Sequence, residues 1–301
     1  MNEMSANRLL GELAEDLADT VVRRYQIGHD EAVAAIFDEW SRRPALLEAA
    51  EKASKPEDVK RTRAYRDAAA TVKKNIYYRL RRYRPDVTTE HGTLQALADL
   101  EAGSSSAQRD AAARDVAAGH VSTAERLPHL TEFFQRLIAM AGAPKTLVDV
   151  GCGVLPMLAP LDDSMRVTLE YWALDKDQAA MRAVNEYARI RADGRVRPIE
   201  WDLTQGWAAA HEAGLPNSSE LGLLLKVVPV VARRSKADLA ALSQTPAERL
   251  VVSGSRIAMA KRQEIERRET RILRQFFADY GLAEIDSFRT PDEVVFLVQR
   301  Q

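Results

Sequence analysis

The residues of this chain that most directly imply chemistry lie in Thr146-Leu147-Val148-Asp149-Val150-Gly151-Cys152-Gly153, an apolar run ending in an acid and two spaced glycines. Leu147, Val148 and Val150 suit a parallel strand covered on both faces. Gly151 and Gly153 permit a sharp turn and let a ligand approach the backbone closely. A second apolar segment, Val167 to Leu174, ends in Asp175, about 22 residues past the glycine turn. That is near the roughly 20 at which an acid on the next strand tip accepts the hydroxyls of a ribose. A third segment, Val196 to Trp201, ends in Asp202, and a fourth, Leu221 to Pro229, stops at a proline.

Glycine turns and acids at successive strand tips, separated by helical patterns, imply one nucleoside-binding cleft across a doubly wound, mostly parallel sheet. No third glycine completes a Gly-x-Gly-x-x-Gly register, which speaks against a dinucleotide pyrophosphate. A nucleoside without phosphate, S-adenosylmethionine, fits better. Each acid also has a simpler reading: Asp175 as the N-cap of a helix from Lys176 to Arg191, and Asp202 as the cap of a turn. Their joint placement after strands favours the cofactor.

The elements that must carry this cleft occupy only part of the 301 residues. Before residue 145 the pattern is helix after helix. Leu9, Leu10, Leu13, Leu17, Val21 and Tyr25 recur at three- and four-residue steps, and Val33, Ile36 and Phe37 form one face of a second helix. Pro44 starts a third, and Ser54-Lys55-Pro56-Glu57 reads as a cap with proline in the first turn of a fourth. Gly103-Ser104-Ser105-Ser106 reads as a linker or loop. The expected division is therefore a helical domain over 1–110 and a sheet-containing domain over 111–301.

From Lys60 to Arg84 the fourth helix carries ten basic residues against one acid, Asp67, in a chain of net charge -1. Exposed helix faces ordinarily mix signs so that i,i+4 pairs form. This one does not, and a docked polyanion explains its self-repulsion better than a solvated face. Lys60, Arg61, Arg63, Lys73 and Lys74 are the candidate RNA contacts. Arg256, Lys261 and Arg262 join them from a loop beside the cleft, while the helix that follows, with Arg267, Arg268, Arg271 and Arg274 among Glu264, Glu266 and Glu269, reads as ordinary and exposed.

A hydrophobic fraction of 46% and a charged fraction of 29% are those of a globular protein. The lone cysteine, Cys152, excludes an intrachain disulfide and suits a reducing compartment, where it reads as packing between two glycines. No secretory signal, membrane span or metal-ligand spacing is visible, so a cytoplasmic, metal-free chain with no membrane partner is expected. Nothing signals a coiled coil, and a monomer is expected.

His120-Val121-Ser122-Thr123-Ala124-Glu125-Arg126-Leu127 is similar to the His-x-Ser-Thr-x-Glu-Arg-Leu segment of the aminoglycoside-resistance 16S rRNA methyltransferases of the Arm and Rmt type. Leu224-Leu225-Lys226-Val227-Val228-Pro229 resembles their Leu-Leu-Lys-Val-Leu-Pro strand, and Asp149 to Gly153, Asp175 and Asp202-Leu203 fall in the same order. The resemblance implies a Rossmann-like class I methyltransferase preceded by an all-helical, rRNA-docking domain. It implies transfer of a methyl group to N7 of a decoding-site guanine in the 30S subunit, with aminoglycoside resistance as the outcome.

Carried over by position, Arg126 would bind the methionine carboxylate, Gly151 and Gly153 would line methionine and ribose, Asp175 would hold the ribose and Asp202 the adenine amino group. His120 stands as a lesser candidate that also reads as a helix cap, and Arg126 also reads as an ion-pair partner for a nearby acid. The chain departs from the family at Gly254 to Arg262, where a Phe-Pro step and loop glycines are missing. Because guanine N7 carries a free lone pair, no general base is expected. The alternatives are a methyltransferase for another RNA position or for a small molecule, and a non-catalytic ribosome-binding protein on this fold.

Overall fold

The computed structural model describes residues 3–25, 29–76, 87–101, 104–160, 169–257 and 264–301. They form two compact units, Met1–Asp86 and Val87–Gln301.

The first unit consists, among the described residues, of helices α1 (Glu3–Tyr25), α2 (His29–Trp40), α3 (Pro44–Lys52), α4 (Pro56–Lys60) and α5 (Arg63–Ile76). Leu10, Leu13, Leu17 and Val21 of α1 close on Ile36, Leu46, Val59 and Val72, one from each remaining helix. On α2 the four-residue step from Ala32 through Ile36 ends at Trp40, which is wholly buried. Phe37 lies one residue round the helix and is 38% exposed, so the expected apolar face was misplaced there. Proline opens α3 and α4 as expected.

The expected continuous helix from Lys60 is instead broken. The Thr62 hydroxyl donates to the Val59 carbonyl (2.7 Å) and accepts from the Tyr65 N–H (3.1 Å), ending one helix and capping the next. The stretch 77–86 lies outside the described residues.

The second unit begins with α6 (Val87–Ala98), α7 (Ser106–Gly119), the short α8 (Val121–Ala124) and α9 (Leu130–Ala141). Strand β1 (Thr146–Val150) follows, then β2 (Glu170–Asp175), α10 (Gln178–Arg191), β3 (Val196–Glu200), α11 (Gly206–Glu212) and β4 (Ser219–Leu225). Helices α12 (Val228–Ala232) and α13 (Lys236–Ser243) lead to β5 (Ala247–Ser255), α14 (Glu266–Asp279), β6 (Leu282–Arg289) and β7 (Glu293–Arg300). The sheet has the order β3-β2-β1-β4-β5-β7-β6, parallel except for β7, which runs antiparallel to both neighbours. The expected doubly wound α/β architecture is present.

Period-two alternation sends Leu147, Leu221, Leu223 and Val251 to the face covered by α7, α9 and α10. Val148, Leu224, Val252 and Phe296 go to the face covered by α11 and α14. Each such side chain contributes about 1.5–3 kcal/mol by leaving water. Chain order reverses between β1 and β4, the point at which ligands bind open sheets of this kind.

The boundary between units falls at Asp86/Val87 and not at the expected 110/111. Leu97 of α6 and Ala113, Val116 and Ala117 of α7 are buried in one core with Tyr187 and Leu155, so both helices belong to the sheet unit. Ser105, expected in a linker, is the N-cap of α7, where it and Gln108 form a reciprocal capping box.

Candidate cofactor-binding site

The carboxyl ends of β1, β2 and β3 are tied together by backbone groups. At the end of β1 the N–H groups of Gly151 and Cys152 donate to the Leu174 carbonyl (2.7 and 3.2 Å), and at the end of β3 the Trp201 N–H donates to the Asp175 carbonyl (2.9 Å). Gly151 and Gly153 both have positive φ (69° and 54°), the conformation that the strand-to-turn reversal demands and that a Cβ disfavours.

The Gly153 N–H donates to Asp175 Oδ2 (2.8 Å), and the Asp177 N–H donates to Oδ1 (2.9 Å). Asp175 is therefore held across the glycine turn, each oxygen still having acceptor capacity. Burial raises its pKa, against these two N–H bonds. The helix-capping role weighed for Asp175 falls to Asp177, whose carboxylate accepts from the N–H groups of Ala179 and Ala180.

Asp202, at the tip of β3, makes the turn-capping contacts that sequence also allowed. Its Oδ1 accepts from the Thr204 N–H and hydroxyl (both 2.9 Å), and Oδ2 pairs with Lys176 Nζ (3.2 Å). Partial burial works against ionisation, but these bonds hold the carboxyl below the usual range.

His120 caps the end of α7 and is buried against the glycine turn. Its Nδ1 lies 3.2 Å from both Ser122 Oγ and Thr123 Oγ1, and burial lowers its pKa against the nearby Asp175 and Asp177. A Cβ on Gly153 would come within 2.6 Å of His120 Cε1. Gly153→Ala is accordingly expected to cost about 1–3 kcal/mol in denaturant unfolding, from clash and positive φ together. Adding His120→Ala should recover the steric part only; complete recovery would show that the backbone conformation carries no cost.

Arg126 is not free at the cleft floor. Its Nε and Nη2 both donate to Glu293, the latter at 3.0 Å, while its Cζ lies 5.3 Å from the centre of the Phe133 ring. The partner is not an acid on its own helix but the first residue of β7, which lies 167 residues away. The Nη1 donors have no protein partner among the described residues and stay available to a ligand carboxylate.

Glu293 also accepts from Ser253 Oγ (2.7 Å) and lies 3.8 Å from Lys226 Nζ, which pairs with Glu125 (2.7 Å). Burial works to raise the Glu293 pKa, yet Arg126, Lys226 and the hydrogen bonds prevail and hold it at about 2. Lys226 has a φ of 62°, a conformation costly for a side chain with a Cβ, and its N–H is pinned by the Ser253 carbonyl and hydroxyl. Beside this network Asp149 accepts from the Tyr171 hydroxyl (2.6 Å) through Oδ2, while its buried Oδ1 has no partner among the described residues. Burial pushes Asp149 up to about 7 despite Tyr171 and the charge of Arg126.

The glycines, Asp175, Asp202 and Arg126 are the candidates legible in the sequence, whereas Glu293 and Tyr171, which the structure brings beside Arg126 and Asp149, are not. An acid opening an apolar strand and a tyrosine within one are the only traces they leave. Cys152 is buried with its thiol pKa raised by desolvation, in keeping with a packing role. Among the described residues no group of side chains is arranged to hold a metal ion, and no helix is long and apolar enough to cross a membrane.

Of the candidate RNA contacts, Lys60 pairs with Asp16 (2.7 Å) and Arg63 with Asp67 (3.5 Å). Arg61 and Lys73 have no ionic partner among the described residues, and the Lys74 side chain lies outside them. Arg256 is engaged by Glu266 (2.6 Å) and the Thr290 carbonyl (2.6 Å). Lys261 and Arg262 also lie outside the described residues.

Residues 22–279 match the model of a family described as ribosomal RNA methyltransferase (FmrO). Among relatives, a 16S rRNA (guanine(1405)-N(7))-methyltransferase of Micromonospora echinospora is 36% identical over 96 residues, covering 31% of this chain and 35% of that protein. One of the same description from Frankia casuarinae is 28% identical over 189 residues, covering 62% and 59%. The chain thus spans about a third to three-fifths of the length of the curated relatives it matches. Among solved structures, the 16S rRNA methyltransferase RmtF in complex with S-adenosyl-L-homocysteine superposes with a TM-score of 0.58 at 23% identity, covering 96% of this chain and 98% of that one. At that identity the likeness shows a shared fold. The family model, in contrast, spans most of the chain, both units included, and the chain belongs to the FmrO family of ribosomal RNA methyltransferases.

Proposed function

We propose that this chain transfers a methyl group from S-adenosylmethionine to N7 of guanine 1405 of 16S rRNA, the reaction its relatives are named for. The substrate is the assembled 30S subunit, met by a cytoplasmic monomer, and the methylated decoding site confers aminoglycoside resistance. The observation that carries this reading is the Asp175 carboxylate held by the Gly153 N–H where the chain order of the sheet reverses.

The residues fit such a cofactor. Asp175 retains acceptor capacity for two ribose hydroxyls, Arg126 keeps its Nη1 donors for the methionine carboxylate, and Asp149 Oδ1 is a buried acceptor without a partner among the described residues. Gly151 and Gly153 leave the turn without side chains where methionine and ribose would lie, and Asp202 stands at the neighbouring tip for the adenine amino group. When bound, S-adenosylmethionine supplies an electrophilic methyl carbon to the free lone pair of N7.

No residue has to remove a proton, so the work of the protein is orientation. It holds acceptor and donor at attack distance, an effect that reaches about 7–11 kcal/mol in well-aligned systems. The target base must first leave its stack, at a cost of a few kcal/mol that phosphate contacts offset. Arg61, in the break between α4 and α5, and Lys73 of α5 have no ionic partner among the described residues and would make that contact, together with Lys60, Arg63 and Lys74.

The test is methyl transfer from labelled S-adenosylmethionine to purified 30S subunits, with the modified nucleotide mapped by borohydride-aniline cleavage and primer extension. Cleavage at guanine 1405 is the expected result. Label at another nucleotide would move the target, and transfer to naked 16S rRNA at an equal rate would remove the subunit requirement. Cofactor binding without transfer would overturn the enzymatic reading.

A further inference from the structure

Helix α14 is the next element after β5 among the described residues, and the Ile265 N–H before its first turn donates to the Arg256 carbonyl just past the end of β5 (2.7 Å), which sets that turn at the rim formed by the carboxyl ends of the parallel strands. Two carboxylates are set into that turn, and each is flanked by two guanidiniums. Glu266 accepts from Arg256 (2.6 Å) and Arg289 (2.8 Å), and Glu269 pairs with Arg233 and with Arg268 (3.1 Å). The carboxylates point inward, their side chains 4% (Glu269) and 15% (Glu266) exposed; Arg268 and Arg289 reach outward at 58% and 62%, while Arg233 and Arg256 are half-buried between them at 33% and 31%.

Arg267 and Arg271 are exposed on the outer face of the same helix, one turn apart, with no partner among the described residues. Four guanidiniums therefore share two acids, and two more stand without an acid, beside the cleft of a chain whose net charge is -1. Like charges at i,i+4 weaken a helix, so the Arg267/Arg271 pair has no purpose in stability. Four of the six are instead fixed in direction by one buried and one half-buried acid, which lowers the ordering cost of meeting an anion. All six are arginine, the residue whose planar fork matches phosphate oxygens two at a time.

The geometry points to the outer face of α14, with Arg233 and Arg289 at its borders, as a second docking surface for an RNA phosphate backbone. It would guide the strand that delivers the target nucleotide to the cleft. This assignment rests on the function proposed above. It replaces the expectation that α14 is an ordinary exposed helix.

The experiment is binding of the full chain to purified 30S subunits across a range of salt concentrations, comparing wild type with Arg267→Glu/Arg271→Glu and Arg267→Lys/Arg271→Lys. Titration with S-adenosylhomocysteine serves as the check that each variant is folded. The charge-reversed variant should bind subunits at least tenfold more weakly near physiological salt, with the log–log salt slope reduced by about two. The lysine variant should keep most of the affinity, and cofactor binding should not change. Equal affinity and equal salt slope in wild type and the reversed variant would overturn the assignment and leave the face to an acidic protein or to solvent. Subunit binding that responds as expected without any methyl transfer would overturn the enzymatic reading and sustain the docking surface.

Discussion

Asp175→Ala should weaken S-adenosylmethionine binding by 100-fold or more while leaving the chain folded. Each hydrogen bond from a ribose hydroxyl to a carboxylate contributes about 1.5–3 kcal/mol, and each 1.4 kcal/mol is tenfold in affinity. The substitution also frees the Gly153 N–H from its acceptor, so the glycine turn loses the tie that fixes it against β2. Asp202→Ala provides the comparison. Both Asp202 oxygens already serve Thr204 and Lys176, so its loss should cost no more than about tenfold. Titration calorimetry with S-adenosylhomocysteine distinguishes the two. An unchanged dissociation constant for Asp175→Ala would remove that residue from the site.

Glu293→Gln should destabilise the fold by about 3–5 kcal/mol, the range for removing one partner of a buried ion pair and leaving the other charge uncompensated. Arg126 is 6% exposed and Glu293 wholly buried, so water cannot replace the lost carboxylate. The size of the effect should depend on pH. The folded chain holds the Glu293 carboxyl at about 2 against an ordinary 4.5, so it binds fewer protons than the unfolded chain between those values. Its contribution is fully present above the unfolded pKa and is lost as pH falls toward about 2, a span worth on the order of 3 kcal/mol.

Asp149 acts with the opposite sign. Its folded pKa is pushed up to about 7 from 3.8, so it opposes folding progressively as pH rises through that interval. The difference between wild type and Glu293→Gln should therefore be largest near neutrality and shrink in acid, where Glu293 itself becomes neutral. Urea unfolding at several pH values measures it. A difference independent of pH would mean that Glu293 is not ionised in the folded chain.

What the sequence revealed and what it hid have physical reasons. The glycine turn and the acid at the second strand tip are local signals: β1 is apolar on both faces because both faces are covered, and Asp175 must follow where β2 ends. The basic run of the first unit is likewise readable because charge imbalance survives any fold. Phe37 reads as a core residue of α2 because it lies four residues after Val33, but the buried step runs through Ala32, Ile36 and Trp40, and only packing decides which of two adjacent faces meets the core. Ser105 looked like a linker because a capping serine and a loop serine are the same residue. Arg126 was placed by resemblance, but its partner Glu293 could not be, since no periodicity links a helical segment to an antiparallel strand so far along the chain.

That separation bears on how the protein is made. During synthesis at roughly 5–20 residues per second, Arg126 emerges about ten to thirty seconds before Glu293. Until β7 inserts antiparallel between β5 and β6, the nascent chain carries an arginine whose intended burial site has no counter-charge. The earlier strands can pair in that interval, but the floor of the cleft cannot close. The floor of the cleft is thus completed only when the last strand of the sheet has left the ribosome.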